Sequence, residues 1–190
     1  EIDSLKTAFA NEKILCQSIL NNIKDLLWIV DNQTLTLLCF NDAFKSLMTQ
    51  KTKVSIQPGV QLEKFQFFRK HRNEWLSAIK KAETEKQAVF EIPVFSDHKI
   101  FRFHLYLFNF TEKQSSVFVV GQDISSEKTI EHKYLASERK YLDLYENAIE
   151  GFFRTTIDAQ IVKVNKTAWH ILGYSQDEIK EVNVRTDIWV

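Results

Sequence analysis

The sequence has few of the residues that form ligand-holding loops and covalent frameworks. Its 190 residues include only 4 Gly, 2 Pro, 2 Cys and 1 Met. With glycines so few and scattered, no Walker-type or Rossmann-type loop is present to hold phosphates, which disfavours most familiar nucleotide-dependent enzymes. The two cysteines, Cys16 and Cys39, make neither a disulfide framework nor a zinc site. Such cysteine use is typical of a reducing compartment, so we expect a cytoplasmic location.

Net charge and long apolar runs are also missing. Lys plus Arg and Asp plus Glu each number 25, so no net field attracts nucleic acid or an anionic membrane. The longest apolar run, residues 26–30, is far short of the roughly 20 residues that cross a bilayer. We therefore expect no nucleic-acid partner and no membrane segment. A start at Glu1 and a single methionine, Met48, indicate a segment of a longer protein.

Two stretches, residues 1–23 and 126–148, have the spacing of a coiled-coil seam. The first seam consists of Ile2, Leu5, Phe9, Glu12, Cys16, Ile19 and Ile23. The second consists of Ile130, Tyr134, Ser137, Tyr141, Leu144 and Ala148. Because Glu12 interrupts the first seam, that helix either packs on its own domain or pairs with a second chain. The spacing predicts a homodimer through both helices.

The residues between these helices predict an α+β domain with a five-stranded antiparallel sheet. β-Branched and aromatic residues around a polar break predict a hairpin over 26–40. A helix follows over 73–87, capped by Asn73. Three strands with short breaks then predict a meander, over 88–95, 100–110 and 116–124. Apolar residues on both faces of the middle strand require helices on both faces of the sheet.

The same pattern begins again after the second helix. Asn41 and Asn165, each placed to cap a short helix, are 124 residues apart, and a second hairpin precedes Asn165. The repeat predicts four segments. They are an amphipathic helix (1–23), a complete domain (24–125), a helical linker (126–148) and the first part of a second domain (149–190).

The motifs at these positions resemble the PAS domain. Residues 147–153, 164–168 and 172–175, with the Leu-Gly-Tyr-Ser sequence at the last, resemble the family's usual opening. In the first unit, residues 25–31 and 40–44 match the same opening, although Thr49-Gln50 replaces Gly-Tyr. Residues 121–128, Gly-Gln-Asp-Ile-Ser-Ser-Glu-Lys, resemble the Asp-Ile-Thr-Glu-Arg-Lys signature that ends many PAS domains. The second unit departs from the common pattern at Val182-Asn183-Val184.

The resemblance implies a sensory and signal-relay region. PAS domains stand in tandem ahead of effectors such as bacterial histidine kinases of two-component systems and diguanylate cyclases, and neither effector lies in this segment. We expect a histidine kinase in the same protein, with a diguanylate cyclase as the alternative. A ligand-free dimerisation module is a further alternative. No catalytic constellation is visible, so we expect no enzyme activity from this segment.

The histidines and cysteines carry no cofactor motif. No two of the five histidines have metal-ligand spacing with a carboxylate or thiolate, so we expect no metal site. Haem-binding PAS domains place a histidine on the long helix, and residues 74–87 contain none. Cys39 lies outside the Asn-Cys-Arg-Phe-Leu-Gln run of flavin photosensors, which is absent. The residues around His132 do not fit a phospho-accepting histidine. We therefore expect no cofactor.

Two sets of residues are candidates for function. One is a group of phenylalanines that either lines a pocket for a small apolar ligand or fills the core, and core filling is favoured. Its members are Phe40, Phe44, Phe90, Phe101 and Phe103. The other is Asp123 with Ile124, which by the resemblance couples the sheet to the exit helix. A carboxylate at a helix start also accepts backbone N–H bonds, which is the simpler interpretation of Asp123.

Overall fold

The chain divides into two units, Glu1–Lys128 and Thr129–Val190. The structure, a computed structural model, describes residues 15, 17–94, 99–111, 114–175 and 177–188. Most of the predicted seam in residues 1–23 therefore lies outside the described residues, as does His98.

The first unit contains the predicted five-stranded antiparallel sheet. Its strand order is β2-β1-β5-β4-β3, so the last strand pairs with the first. The strands are β1 (Leu26–Asp31), β2 (Leu37–Phe40), β3 (Gln87–Val94), β4 (Lys99–Thr111) and β5 (Gln114–Asp123). The central β1–β5 pair runs from Leu26 opposite Gly121 to Asp31 opposite Ser116. The predicted α+β fold class is confirmed.

Helices pack on both faces of this sheet. The leading helix, α1, is described at residue 15 and at residues 17–21. It is followed by α2 (Asp42–Lys51), a 3-10 turn (Leu62–Lys64), α3 (Gln66–Lys70) and α4 (Arg72–Glu85). Asn41 caps α2 as predicted, since its Oδ1 accepts the N–H of Phe44 at 3.0 Å. The predicted cap of α4 at Asn73 is wrong because the helix begins at Arg72, and its N-cap residue, His71, makes no side-chain capping bond.

The core of the first unit lies between the inner face of the sheet and α2 to α4. Alternate residues of β4, from Phe101 to Leu105, point into this core because successive side chains of a strand face opposite sides. Two tryptophans, Trp28 of β1 and Trp75 of α4, are 1% exposed, with their rings 5.9 Å apart. On the opposite face Leu20 of α1 lies beside Ile29 and Cys39, so α1 covers part of the outer sheet.

A single helix, α5 (Ser125–Glu146), begins in the first unit and ends in the second. None of its 22 residues is buried. Its bounds lie within two residues of the predicted linker, 126–148. Among the helices that the structure describes, none is long and apolar enough to span a membrane.

The second unit repeats the opening of the first. It contains β6 (Phe153–Thr155), β7 (Ile161–Val164) and α6 (Lys166–Leu172), followed by a 3-10 turn (Glu178–Glu181) and a π-helical segment (Val184–Ile188). The two strands form an antiparallel hairpin, and Asn165 caps α6 as predicted. Ile161, Ile179 and Val182 are the buried residues of a small core.

Candidate functional site

The five candidate phenylalanines lie together in the core of the first unit. Phe44, Phe101 and Phe103 are buried, and Phe40 and Phe90 are half-buried. Each of their rings packs on another of the five, with centroids 5.5 to 5.9 Å apart. Close packing of this kind favours the core-filling interpretation.

Trp28 and Trp75, which were not among the candidate residues, pack directly against three of the five phenylalanines. Phe44 lies 4.8 Å from Trp28, and both Phe90 and Phe103 lie 4.8 Å from Trp75. In the part of the chain that the structure describes, neither indole Nε1–H has a hydrogen-bond partner. A buried indole N–H usually finds an acceptor, so these two donors mark where a polar atom would be held if one entered this core.

Asp123 lies at the start of α5, and its two carboxylate oxygens accept hydrogen bonds from α5 and from β4. Its Oδ1 accepts the backbone N–H of Ser125 at 3.0 Å and the Ser125 hydroxyl at 2.6 Å. Its Oδ2 accepts from Lys99 Nζ of β4 at 2.8 Å. Partial burial alone would raise the pKa of Asp123, but the bonds from Lys99 and Ser125 outweigh it and lower the pKa below its usual value. The carboxylate thus both starts the helix and bonds it to the sheet.

Ile124 anchors the same junction through burial and backbone bonds. Its side chain is 2% exposed, and its N–H donates to the carbonyl of Ile100 at 2.9 Å. Ser125 Oγ accepts the N–H of Ile100 at 3.0 Å in return. The first residues of α5 are therefore bonded directly to β4.

Four charged side chains form a second connection between the sheet and α5. Arg102 Nη2 of β4 lies 2.8 Å from Glu91 Oε1 of β3 and 3.4 Å from Glu127 Oε1 of α5. Lys128 Nζ of α5 lies 3.1 Å from Glu91 Oε2. The bonds from Lys128 and Arg102 lower the pKa of Glu91, so its carboxylate stays ionised in mildly acidic solution. We name this set the Glu91 network.

Sequence reasoning missed the Glu91 network. Glu91 and Arg102 are a register pair across β3 and β4, which can be inferred only after the meander has been aligned. Glu127 and Lys128 fall in the first turn of α5, where charged residues are ordinary. The available signal was therefore the opposite charge of one cross-strand pair, which alone does not indicate a helix contact.

The last turn of α5, which lies in the second unit, contacts a residue of β7 and the residue that caps α6. Asn165, which is fully buried, donates from Nδ2 to the carbonyl of Tyr145 at 2.9 Å. Lys163 Nζ lies 4.8 Å from the centre of the Tyr145 ring and 5.1 Å from that of Tyr141, within cation–π range. Desolvation, with the nearby Glu146 carboxylate, raises the pKa of Tyr145.

The predicted seam of α5 is exposed along its length. Ile130, Tyr134, Tyr141 and Leu144 expose 55 to 68% of their surfaces. Single exposed apolar residues are common on protein surfaces, but a row of them at heptad spacing is the pattern that a second helix covers.

In the described ranges, no three His, Cys, Asp or Glu side chains are grouped as metal ligands. His71 Nδ1 lies 3.3 Å from Glu74 Oε1, and His104 stacks on Tyr106 on the outer face of the sheet.

Comparison with known proteins gives one family match. Residues 139–189 match the sequence model of a family described as the PAS domain. A search of curated protein sequences gives no match.

Among solved structures, the chain is similar to a domain of an HTR-like protein from Haloarcula marismortui, at 18% identity and a TM-score of 0.44, covering 54% of this chain and 100% of that one. It is also similar to a sensory box sensor histidine kinase from Vibrio cholerae, at 15% identity and a TM-score of 0.41, with 63% and 96% covered. A third similar structure is the PAS domain of nitrogen regulation protein NR(II) from Vibrio parahaemolyticus, at 16% identity and a TM-score of 0.42, with 58% and 98% covered.

Proposed function

We propose that this chain, whose second unit belongs to the PAS domain family and whose first unit has the PAS fold, is a sensory and signal-relay region. In this proposal the first unit responds to a small ligand or a partner, and α5 carries the change onward. One observation carries the proposal. A helix with no buried residue begins with side-chain and backbone bonds to the sheet of the first unit.

The relay route is the junction at Asp123 and Ile124. Both residues bond α5 to β4, and β4 also supplies Phe101 and Phe103 to the core. A change in core packing that shifts β4 would therefore change the position of the first turn of α5. The Glu91 network gives the same turn a second connection, through β3 and β4.

Dimerisation is part of the proposal. Most of the stability of a helix in a protein comes from the packing of an apolar face, and none of the 22 residues of α5 is buried in this chain. Pairing α5 with a second copy along the exposed seam would bury Ile130, Tyr134, Tyr141 and Leu144. A shift at the junction would then change the geometry of two paired helices.

A second candidate function is a dimerisation module that binds no ligand, and the closely packed rings of the core favour it. The two candidates differ in whether the first unit binds a small molecule. Native mass spectrometry of the chain, first under gentle and then under denaturing conditions, tests the two. A retained small molecule is expected for a sensor. A dimer that carries nothing, and whose thermal stability no small molecule changes, would favour the dimerisation module.

The effector in this proposal is a histidine kinase in the bacterial cytoplasm, with a diguanylate cyclase as the alternative. The family resemblance supports an effector of this kind. The assay is autophosphorylation from ATP, set against formation of cyclic dinucleotide from GTP, by the protein that carries this region. Formation of a cyclic dinucleotide would show that the effector is a diguanylate cyclase and not a histidine kinase.

Replacement of Asp123 tests the relay itself. Asp123→Ala removes the acceptor of both the Ser125 and the Lys99 bonds, so we expect the complete protein's response to its stimulus to be reduced or lost. The matched control is Glu138→Ala, at an exposed position of the same helix. Unchanged output from the Asp123 variant would exclude this route.

A further inference from the structure

Asn165 joins the end of α5, the loop before β6 and the first turn of α6 through one side chain. Its Oδ1 accepts the N–H of Phe152 at 2.8 Å and that of Ala168 at 3.0 Å. Its Nδ2 donates to the carbonyls of Tyr145 and Glu150, each at 2.9 Å. The side chain is fully buried, so water cannot easily replace any of these four bonds.

The last residue of α5 makes a second bond to the same place. Glu146 Oε2 accepts the N–H of Lys166, the first residue of α6, at 3.0 Å. The final two residues of α5, Tyr145 and Glu146, are thus each bonded to the start of α6, one through its carbonyl and the other through its side chain.

The first unit repeats this arrangement at the end of α1. Asn41 donates to the carbonyls of Leu20 and Asp25 and accepts the N–H groups of Leu27 and Phe44. Asn21 Oδ1 accepts the N–H of Asp42, the first residue of α2, at 3.0 Å.

The partners at the helix ends are 125 residues apart in the sequence, and the two asparagines are 124 apart. Tyr145 follows Leu20, and Glu146 follows Asn21, by 125 residues. The side chain at the second position differs, Asn in one unit and Glu in the other, yet both supply an oxygen acceptor to the same N–H. The bond from the last residues of the incoming helix to the first N–H of the next helix is therefore present in both units, although a different side chain makes it.

We propose that Asn165 and Glu146 form a latch that fastens the end of α5 to α6, and that this latch is where the second unit receives what α5 relays. Asn41 and Asn21 form the equivalent latch for α1 in the first unit. The role as a receiving point rests on the proposed relay function. In that role Asn165 is a positioning residue, acting through the helices that it joins.

The chemistry of the amide allows the latch to be opened without removal of the helix cap. Asn165→Asp keeps an oxygen that accepts from Phe152 and Ala168, and Asp is as good an N-cap as Asn. It loses the two donors and places a carboxylate against the carbonyls of Tyr145 and Glu150. The end of α5 is therefore released while the start of α6 remains capped.

Hydrogen exchange of the 190-residue chain tests this separation. With Asn165→Asp we expect amides in the last turn of α5 to exchange about tenfold faster or more, the loss that one hydrogen bond typically produces. Protection at Ala168 should stay within about twofold. Unchanged exchange in the last turn of α5 would overturn the latch.

A second pair of variants covers the case in which Asn165→Asp unfolds the second unit. Glu146→Gln keeps an oxygen acceptor for Lys166, whereas Glu146→Ala removes it. We expect faster exchange at the Lys166 amide and in the last turn of α5 only for the Ala variant. Equal exchange in both variants would overturn the role of Glu146 and, with it, the latch.

Output of the complete protein separates failure of the latch from failure of the proposed function. If Asp123→Ala abolishes the response and Asn165→Asp leaves it intact, the latch is a structural contact only and the relay function stands. If neither variant changes the response, the relay function fails. Loss of the response in both variants, with Glu146→Gln normal, is the expected result.

Discussion

Trp75 is the residue on which the aromatic rings of the first unit converge. Phe90 and Phe103 lie 4.8 Å from its ring, and Phe67, Phe68 and Trp28 lie 5.7 to 5.9 Å away. The Trp75 ring of α4 therefore packs against three strands, β1, β3 and β4, and against α3, which explains why α4 is fixed on the sheet although most of its surface is charged.

We expect Trp75→Ala to lower the free energy of unfolding of the first unit by about 3–5 kcal/mol, because it leaves a large cavity. Trp75→Phe should cost much less. It keeps a ring, and the indole Nε1–H that it removes has no hydrogen-bond partner among the described residues. Urea denaturation followed by circular dichroism measures both. Equal costs for the two variants would contradict the expectation that a phenyl ring keeps most of the packing at this position.

The asparagine side chains show what the sequence predicts at this scale and what it does not. Asn41 and Asn165 were predicted as helix caps, since Asn before a helical run supplies an acceptor to the first turn. Their donor bonds were not predicted. The carbonyls that receive them, such as those of Leu20 and Tyr145, are 20 or 21 residues away in the chain, and only the folded hairpin brings them close.

At the scale of elements, the first turn of α5 depends on ionised carboxylates. The pKa values of Asp123 and Glu91 both lie below their usual values of 3.8 and 4.5. A carboxyl group with a lowered pKa stabilises the folded state in full above its usual value, and that contribution is lost as the pH falls through the lowered one. The attachment of α5 to the sheet is therefore expected to weaken only below about pH 4.5.

Asp123→Asn tests this dependence because the amide does not titrate in that range. At neutral pH we expect the variant's first unit to unfold at a lower temperature than the wild type. The difference between the two should shrink as the pH falls from 3.8 through the lowered pKa of folded Asp123, because protonation of the wild-type carboxylate then removes its contribution. Scanning calorimetry over this range measures it. A difference independent of pH would mean that the charge of Asp123 does not contribute.

The elements were predicted more accurately than their ends. The meander and α5 follow from long, regular patterns, so their predicted bounds differ from the observed ones by only a few residues. The predicted start of α4 at Asn73 was wrong although Asn is a good N-cap residue. In the structure α3 ends at Lys70, and His71 is both the C-cap of α3 and the N-cap of α4. The position of α3 therefore sets the start of α4, and the residues around Asn73 alone do not indicate it.

At the scale of the whole molecule, the exposed seam of α5 predicts that the chain is a dimer in solution. Ile130 and Leu144 are 68% and 63% exposed, and a charge at such a position in a paired seam is strongly unfavourable. We expect the wild type to have the mass of a dimer in light scattering after size-exclusion chromatography. Ile130→Glu with Leu144→Glu should shift it to a monomer.

The control for this experiment is Arg139→Glu, on the side of α5 away from the seam, which should remain a dimer. A wild-type chain that is monomeric at all concentrations would contradict the dimer. A double variant that remains dimeric would place the dimer contact on a different surface.

The spacing of 125 residues between the two helix ends, Asn21 and Glu146, also sets the length that any insertion or deletion must respect. Removal of residues 22–146 would join Asn21 to Asn147, so that Leu20 and Asn21 take the positions of Tyr145 and Glu146. The shortened chain would still offer a carbonyl to Asn165 and an oxygen to Lys166. A deletion one residue longer would place Leu20, which has no side-chain acceptor, at the position of Glu146, and either change of one residue would turn the rest of the incoming helix by about 100° relative to the second unit. Shuffled or shortened tandem arrays of these units are therefore expected to work only when their lengths change in steps of the whole repeat.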